Sequence, residues 1–258
     1  MQIAEADFRE SAHLYDPPSL KGGRVEVVGL SKQFDGNRVL SDINLTVQKG
    51  EFLSIVGKSG CGKSTLLRLI SGLERPTAGR ISIDGQSALD AGDRLRIMFQ
   101  EPRLLPWATV ADNIAVGLRE GADDQAVKDA LRSVELSDKA NFWPAQLSGG
   151  QRQRVALARA LVSHPGVLMF DEPLGALDAL TRLTMQNLIR DMHEAAGFTA
   201  ILVTHDVAEA VALSDRVIVL GAGRIQHETR ILRAGPVKRG SAELAAIEEE
   251  ILDAIFSG

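Results

Sequence analysis

An α/β fold with a mainly parallel sheet, an antiparallel β subdomain and a helical subdomain is predicted by three observations. Short alternating apolar segments flank a glycine turn near the start of the ordered part. Apolar runs of strand length alternate with helical stretches in the second half. Between them, Thr109 to Glu135 reads mostly as helix, with no strong strand signal. Strands alternating with helices imply parallel pairing with both faces covered, whereas hairpin-spaced segments imply antiparallel pairing.

The first twenty or so residues are polar and aperiodic, with Asp16-Pro17-Pro18 and then Gly22-Gly23, and they read as a loose extension over 1–23. Val25, Val27 and Leu30, then Val39, then Ile43, Leu45 and Val47 form the alternating segments, with Asp35-Gly36-Asn37 as the hairpin turn. Phe52 to Val56 is an apolar strand that runs through a glycine-rich turn into a helix over Lys63 to Ile70, stopped at Gly72. Arg80 to Ile83 reads as a strand ending in the turn Asp84-Gly85. A helical subdomain is expected over about 100–160. Beyond it, Val167 to Phe170, Ala200 to Val203 and Val217 to Leu220 read as strands, and Ala179 to Ala196 and Val207 to Leu213 as helices. Gly221-Ala222-Gly223 turns the chain. In the tail, 236–258, Leu244, Ile247, Ile251 and Ile255 recur at helical spacing. The domain proper is thus expected over 24–235.

Composition narrows the function by exclusion. A chain of 258 residues, 45% hydrophobic and 24% charged, can bury a sizeable core without disulfides or structural metals. No apolar run approaches the roughly 18 residues of a membrane-spanning helix. The start carries Glu5 and Asp7 where a secretory leader would be basic, so no leader is expected. The single cysteine, Cys61, permits neither an internal disulfide nor a cysteine-based zinc cluster, in keeping with a reducing cytoplasm. With 29 basic and 34 acidic residues the net charge is −5, which argues against a broad nucleic-acid-binding face.

Three motifs carry chemistry. Gly57-Lys58-Ser59-Gly60-Cys61-Gly62-Lys63-Ser64-Thr65 satisfies the phosphate-loop pattern, between a strand and a helix as that pattern requires. Glycines let the backbone turn its N–H groups around a polyphosphate, and the following helix adds its positive end. Lys63 can reach the terminal phosphates, and Ser64 can place its hydroxyl on Mg²⁺. Cys61 needs only to be small there, and its thiol is given no catalytic role. The strand from Val167 ends in Asp171-Glu172, suited to holding Mg²⁺ through its waters and to polarising an attacking water. Leu147-Ser148-Gly149-Gly150-Gln151 starts a helix with an apolar face through Val155, Leu157 and Leu161. It can be a second anion-binding helix end or simply a cap.

The order phosphate loop, Gln100, Leu-Ser-Gly-Gly-Gln, Asp171-Glu172, Ala176-Leu177-Asp178 and then His205 resembles the ATP-binding-cassette (ABC) ATPases over about residues 24 to 225. The resemblance implies a P-loop NTPase (RecA-like) core, ATP and Mg²⁺ as ligands, and a head-to-tail homodimer in which each chain supplies half of each site. It further implies that Lys63 contacts the β- and γ-phosphates, that Ser64, Gln100 and Asp171 serve the metal and its waters, that Glu172 is the general base, and that His205 holds the γ-phosphate. Ser148, Gly149, Gly150 and Gln151 would complete the site from the partner copy, and Asp178 would link the two halves. Phe34 stands where the family usually has a tyrosine stacked on adenine. It keeps the aromatic face without the hydroxyl, and stacking of this kind leaves ATP over GTP inferred.

Cassettes acting in translation, repair or chromosome maintenance usually add a second cassette, a coiled coil or zinc-binding insertions, and none is visible. The stretch Phe99 to Asn113 is similar to the importer branch for nitrate, sulfonates, taurine and related solutes, and the tail from Pro236 through Arg239-Gly240-Ser241 is most like the aliphatic-sulfonate type. That implies a motor on the cytoplasmic face of the inner membrane, peripheral and docked on permease subunits by Leu104, Leu105 and Trp107, with a periplasmic or surface solute-binding protein as an indirect partner. A soluble cassette clamping a macromolecule and a phosphate-loop kinase remain as alternatives. The kinase gives no reason for the Ser148 segment.

Overall fold

The computed structural model describes residues 22–118, 123–231 and 241–257. The expected extension, up to residue 21, lies outside the described residues, as do 119–122 of the expected helical stretch and 236–240 of the tail. The chain divides into two compact units. A sheet unit takes in Lys21–Ile97, Gly166–Glu172 and Phe198–Gly258, and a helical unit Met98–Pro165 and Pro173–Gly197.

The sheet unit opens with β1 (Val25–Phe34) and β2 (Asn37–Val47), which join β4 (Ala78–Ile83) and β5 (Gln86–Ser87) in a four-stranded sheet of order β2-β1-β4-β5, antiparallel throughout. The β1–β2 turn is the two residues Asp35 and Gly36, both at positive φ, which matches the twist of the flanking strands. Val25, Val27, Leu30, Ile43 and Leu45 face one core, so the alternation in the sequence is the inward face of this sheet.

The second sheet runs β10-β9-β3-β8-β7-β6, from β3 (Phe52–Val56), β6 (Leu95–Phe99), β7 (Val167–Asp171), β8 (Thr199–Val203), β9 (Arg216–Gly221) and β10 (Arg224–Arg230). β3 pairs in parallel with β8 and β9, β7 pairs in parallel with β8, and β10 closes an antiparallel hairpin on β9. All five residues of β3 and of β8 are buried, which is why they read as unbroken apolar runs. Helix α1 (Lys63–Ile70) buries Leu66, Leu67, Leu69 and Ile70 in the core that contains Leu53, Met169 and Ile201. Each such fully buried side chain contributes about 1.5–3 kcal/mol. Strands β5, β6 and β10 lie outside the sequence expectation. The sequence Arg224-Ile-Gln-His-Glu-Thr-Arg230 is a polar edge strand, with only Thr229 buried, so no apolar run announces it.

The helical unit holds α2 (Val110–Ala115), α3 (Asp124–Ser133), α4 (Gly149–Leu161) and α5 (Ala179–Ala196). Two helices thus stand in the stretch expected to be mostly helix. The sheet unit ends with α6 (Val207–Leu213) and α7 (Ala242–Ser257). Ile251 of α7 is fully buried in a cluster with Val207, Ala210 and Val211 of α6 and Val217 and Val219 of β9.

Candidate functional site

Parallel pairing sends the C-terminal ends of β3, β8 and β7 to one edge of the sheet. The loop after β3 is Gly57–Gly62, β8 ends at Val203 before Thr204 and His205, and β7 ends at Asp171 before Glu172. Neighbouring strands lie about 4.8 Å apart, so the phosphate loop and the acid pair stand about 10 Å apart with the His205 loop between them.

Gly57 carries the close approach that shapes the loop. At φ 151° its missing side chain lets the backbone lie against β9, where a Cβ would fall 2.1 Å from the Leu220 carbonyl oxygen. Helix α1 then starts with no side-chain cap, so the N–H groups of Lys63, Ser64 and Thr65 have no intrahelical acceptor. Lys63 is buried, and its Nζ donates to the carbonyls of Gly57 at 2.8 Å and Lys58 at 3.1 Å, with Cys61 Sγ 4.0 Å away. Lys58, Ser59, Gly60 and Ser64 are exposed, Cys61 and Thr65 half-buried, and Gly62 buried. A buried ammonium beside the uncapped first turn of a helix is an arrangement able to take an anion.

Glu172 takes the left-handed conformation at φ 49°, unusual for a residue with a side chain, and its N–H donates to the Val203 carbonyl at 2.9 Å. This places Oε2 3.2 Å from Nδ1 of His205, whose N–H donates to the carboxylate. The two residues are 33 apart in sequence and meet because β7 and β8 are neighbours. Asp171 sits half-buried at the end of β7, beside Val203.

A network unforeseen in the sequence holds the His205 loop. Thr204, 1% exposed, donates its hydroxyl to the buried carboxylate of Glu209 and accepts from the Asp206 N–H at 3.1 Å, while Asp206 accepts from the Glu209 N–H at 3.0 Å as the cap of α6. The signal was present: Asp206 followed three residues later by Glu209 is the spacing of a helix start.

In the helical unit, Ser148 caps α4 in a reciprocal box with Gln151: the Gln151 N–H donates to Ser148 Oγ at 3.3 Å and the Ser148 N–H to Gln151 Oε1 at 2.9 Å. The capping reading therefore holds, and it does not compete with anion binding. It engages acceptor atoms, leaving the Ser148 hydroxyl proton, the Gln151 amide NH₂ and the first N–H groups of α4, those of Gly149 and Gly150, as donors. Gly150 is buried, and a Cβ there would lie 2.4 Å from Thr181 Cγ2. The same Thr181 donates its hydroxyl to Asp178 at 2.6 Å, which holds that carboxyl below its ordinary range, and Asp178 caps α5. Gln100 is exposed, and its carbonyl accepts from Gln153 of α4. Arg159 of the same helix donates to the carbonyls of Pro102 at 2.7 Å and Arg103 at 2.8 Å. Buried Asn113 fixes Leu105 through both its N–H and its carbonyl, leaving Trp107 72% exposed. Phe34, at the end of β1, is 41% exposed.

The sequence pattern of the family described as ABC transporter matches residues 40–175. The aliphatic sulfonates import ATP-binding protein SsuB of Rhodopseudomonas palustris is 60% identical over 238 residues, 91% of this chain and 84% of its own length. The corresponding SsuB 1 of Rhizobium johnstonii is 54% identical over 236 residues, 90% of this chain and 86% of its own. Among solved structures, cbiO1 of Clostridium perfringens, part of the ABC transporter complex cbiONQ, superposes with a TM-score of 0.76 at 28% identity, over 88% of this chain and 92% of that one. A dimeric ATP-binding cassette in a post-hydrolysis state, bound to ADP and Pi, superposes with a TM-score of 0.71 at 33% identity, over 81% of this chain and 99% of that one.

Proposed function

The chain belongs to the ABC transporter family, and on that premise we propose that it is the ATP-hydrolysing subunit of an importer for small anionic solutes, aliphatic sulfonates foremost. The solute rests on the names of relatives 54 and 60% identical over nearly the whole chain. The reaction rests above all on one observation, the Glu172–His205 pair beside the phosphate loop.

Adenine stacks on Phe34, the loop over 57–65 wraps the phosphates with its N–H groups, and Lys63 turns its ammonium from the loop carbonyls to the β- and γ-phosphates. Ser64, Gln100 and Asp171 offer hydroxyl, amide and carboxylate oxygens, the hard donors that suit Mg²⁺ and its waters. Bound there, Mg²⁺ neutralises charge on the phosphate oxygens. Glu172 takes a proton from the attacking water as the bond to the leaving ADP oxygen breaks, and His205 keeps the carboxylate oriented. With Nδ1–H given to Glu172, Nε2 of His205 can donate to the γ-phosphate only when the ring is protonated. Ser148, Gly149, Gly150 and Gln151 of a second copy close over the γ-phosphate, and Asp178 links the two halves.

Two copies closing on two ATP molecules pull attached permease subunits outward-open and release them after hydrolysis. No helix among the described residues is long and apolar enough to cross a membrane. The permease supplies the attachment, at the cytoplasmic face, through half-buried Leu104 and Leu105 and exposed Trp107, and a solute-binding protein delivers the cargo. In this reading 24–235 forms the cassette, with its helical subdomain at about 100–160, and 236–258 a short amphipathic tail. Growth of a deletion strain on single sulfur sources tests the solute. We expect growth on ethanesulfonate to be lost and growth on sulfate to be kept. Unchanged growth on alkanesulfonates, with a defect on taurine or nitrate instead, would move the assignment within the branch, and no uptake defect at all would remove transport.

A further inference from the structure

We infer that Lys32 is a positioning residue for nucleotide recognition, a buried cation pressed on one face of the Phe34 ring so that the opposite face is fixed and polarised for the base. Lys32 and Phe34 are two apart on β1 and so project on the same side of the strand. The Lys32 ammonium stands 4.5 Å from the centre of the Phe34 ring, over its face. It is anchored from the other direction, donating to Glu74 Oε1 at 2.7 Å and to the Arg75 carbonyl at 2.8 Å, and the residue is only 9% exposed. Phe34 itself remains 41% exposed, so with one face taken by the ammonium its open surface is the other face and the edge.

Two consequences follow for stacking. The ring cannot swing freely about the strand end, because its inner face is held by a charge that is itself tied to Glu74 and Arg75. A cation on one face also draws π-density toward itself, leaving the opposite face less negative and a better partner for an electron-rich purine. A phenylalanine has no hydroxyl to anchor it, and here the lysine supplies the anchor. The hydrogen bond from Lys32 holds the Glu74 carboxyl below its ordinary value.

The inference rests on the reading that Phe34 stacks on the base, and the experiment separates the two. Binding of Mg-ATP and of inorganic tripolyphosphate, which has no base, is measured by calorimetry on the full chain and on Lys32→Met, Lys32→Arg, Phe34→Ala and the Lys32→Met/Phe34→Ala double variant. We expect Lys32→Met to weaken ATP about five-fold, on the scale of a partly desolvated cation–π contact, with tripolyphosphate unchanged and Lys32→Arg closer to the parent. In the Phe34→Ala background, Lys32→Met should add nothing. If Phe34→Ala weakens ATP but Lys32→Met does not, or if Lys32→Met weakens ATP and tripolyphosphate alike, Lys32 does not act through the ring and the inference fails alone. If Phe34→Ala leaves ATP affinity unchanged, the stacking reading fails and the inference with it.

Discussion

At the scale of single residues, the site is a set of side chains whose freedom has been removed by neighbours. Glu172 is held in a left-handed conformation that costs about 1–2 kcal/mol and is stabilised by its N–H bond to Val203 and its contact with His205. The loop that carries His205 is in turn held by the bonds of Thr204 to Glu209 and to the Asp206 N–H. Replacing Thr204 with valine keeps the shape but removes a donor from a buried carboxylate and an acceptor from the Asp206 N–H. We expect a loss of about 1–3 kcal/mol in urea unfolding, with kcat for ATP falling more than KM rises, and with Thr204→Ser near the parent in both. The residues assigned to phosphate could be named from the sequence because that chemistry dictates type and spacing. The residues that aim them could not. The Glu172–His205 contact spans 33 positions, and the Lys32–Glu74 bond spans 42, so only the strand order brings either pair together.

At the scale of elements, α4 does three things at once. Its first turn presents donors at Ser148 and Gln151, its middle holds the Gln100 carbonyl through Gln153, and its end holds Pro102 and Arg103 through Arg159. The apolar face that made it legible as a helix says nothing of these polar grips. Helix α7 was legible for the same reason, from Leu244, Ile247, Ile251 and Ile255. Its docking partner β10 was not, because a polar edge strand leaves no periodic apolar trace. A polar clasp joins the two: Glu250 Oε1 accepts from the Thr229 hydroxyl at 2.8 Å and lies 2.7 Å from His227 Nε2. These contacts, the Thr229 hydroxyl first, hold the Glu250 carboxyl below its ordinary value of 4.5. A carboxyl with a depressed folded pKa adds stability in full above its unfolded value and loses it as pH falls through the folded one. The protection of α7 amides, taken relative to their intrinsic exchange rate at each pH, should therefore fall below about pH 4.5 in the parent and show a weaker pH dependence in Glu250→Gln, the apolar seam around Ile251 still holding the helix in both. Equal dependence in the two would leave the clasp without a role.

At the scale of the whole molecule, the α/β class, the antiparallel β portion and the helical portion were all readable, because parallel strands buried on both faces and one-sided hairpins leave different hydrophobic periods. The division of labour is clearer in three dimensions. The phosphate loop, Asp171, Glu172 and His205 belong to the sheet unit, whereas Gln100, Ser148 and Asp178 belong to the helical unit. A chain that carries one phosphate loop and one Ser148 segment makes two half-sites, and the reading requires a second copy to complete each. Glu172→Gln tests this most directly, since the amide preserves shape and removes the base. Sedimentation with Mg-ATP and steady-state hydrolysis are measured on the same preparation. The expected result is an ATP-dependent dimer that retains its nucleotide, with turnover reduced about 10²–10⁴-fold. A variant that hydrolyses ATP within a few-fold of the parent rate, or that binds ATP and stays monomeric, would contradict the account.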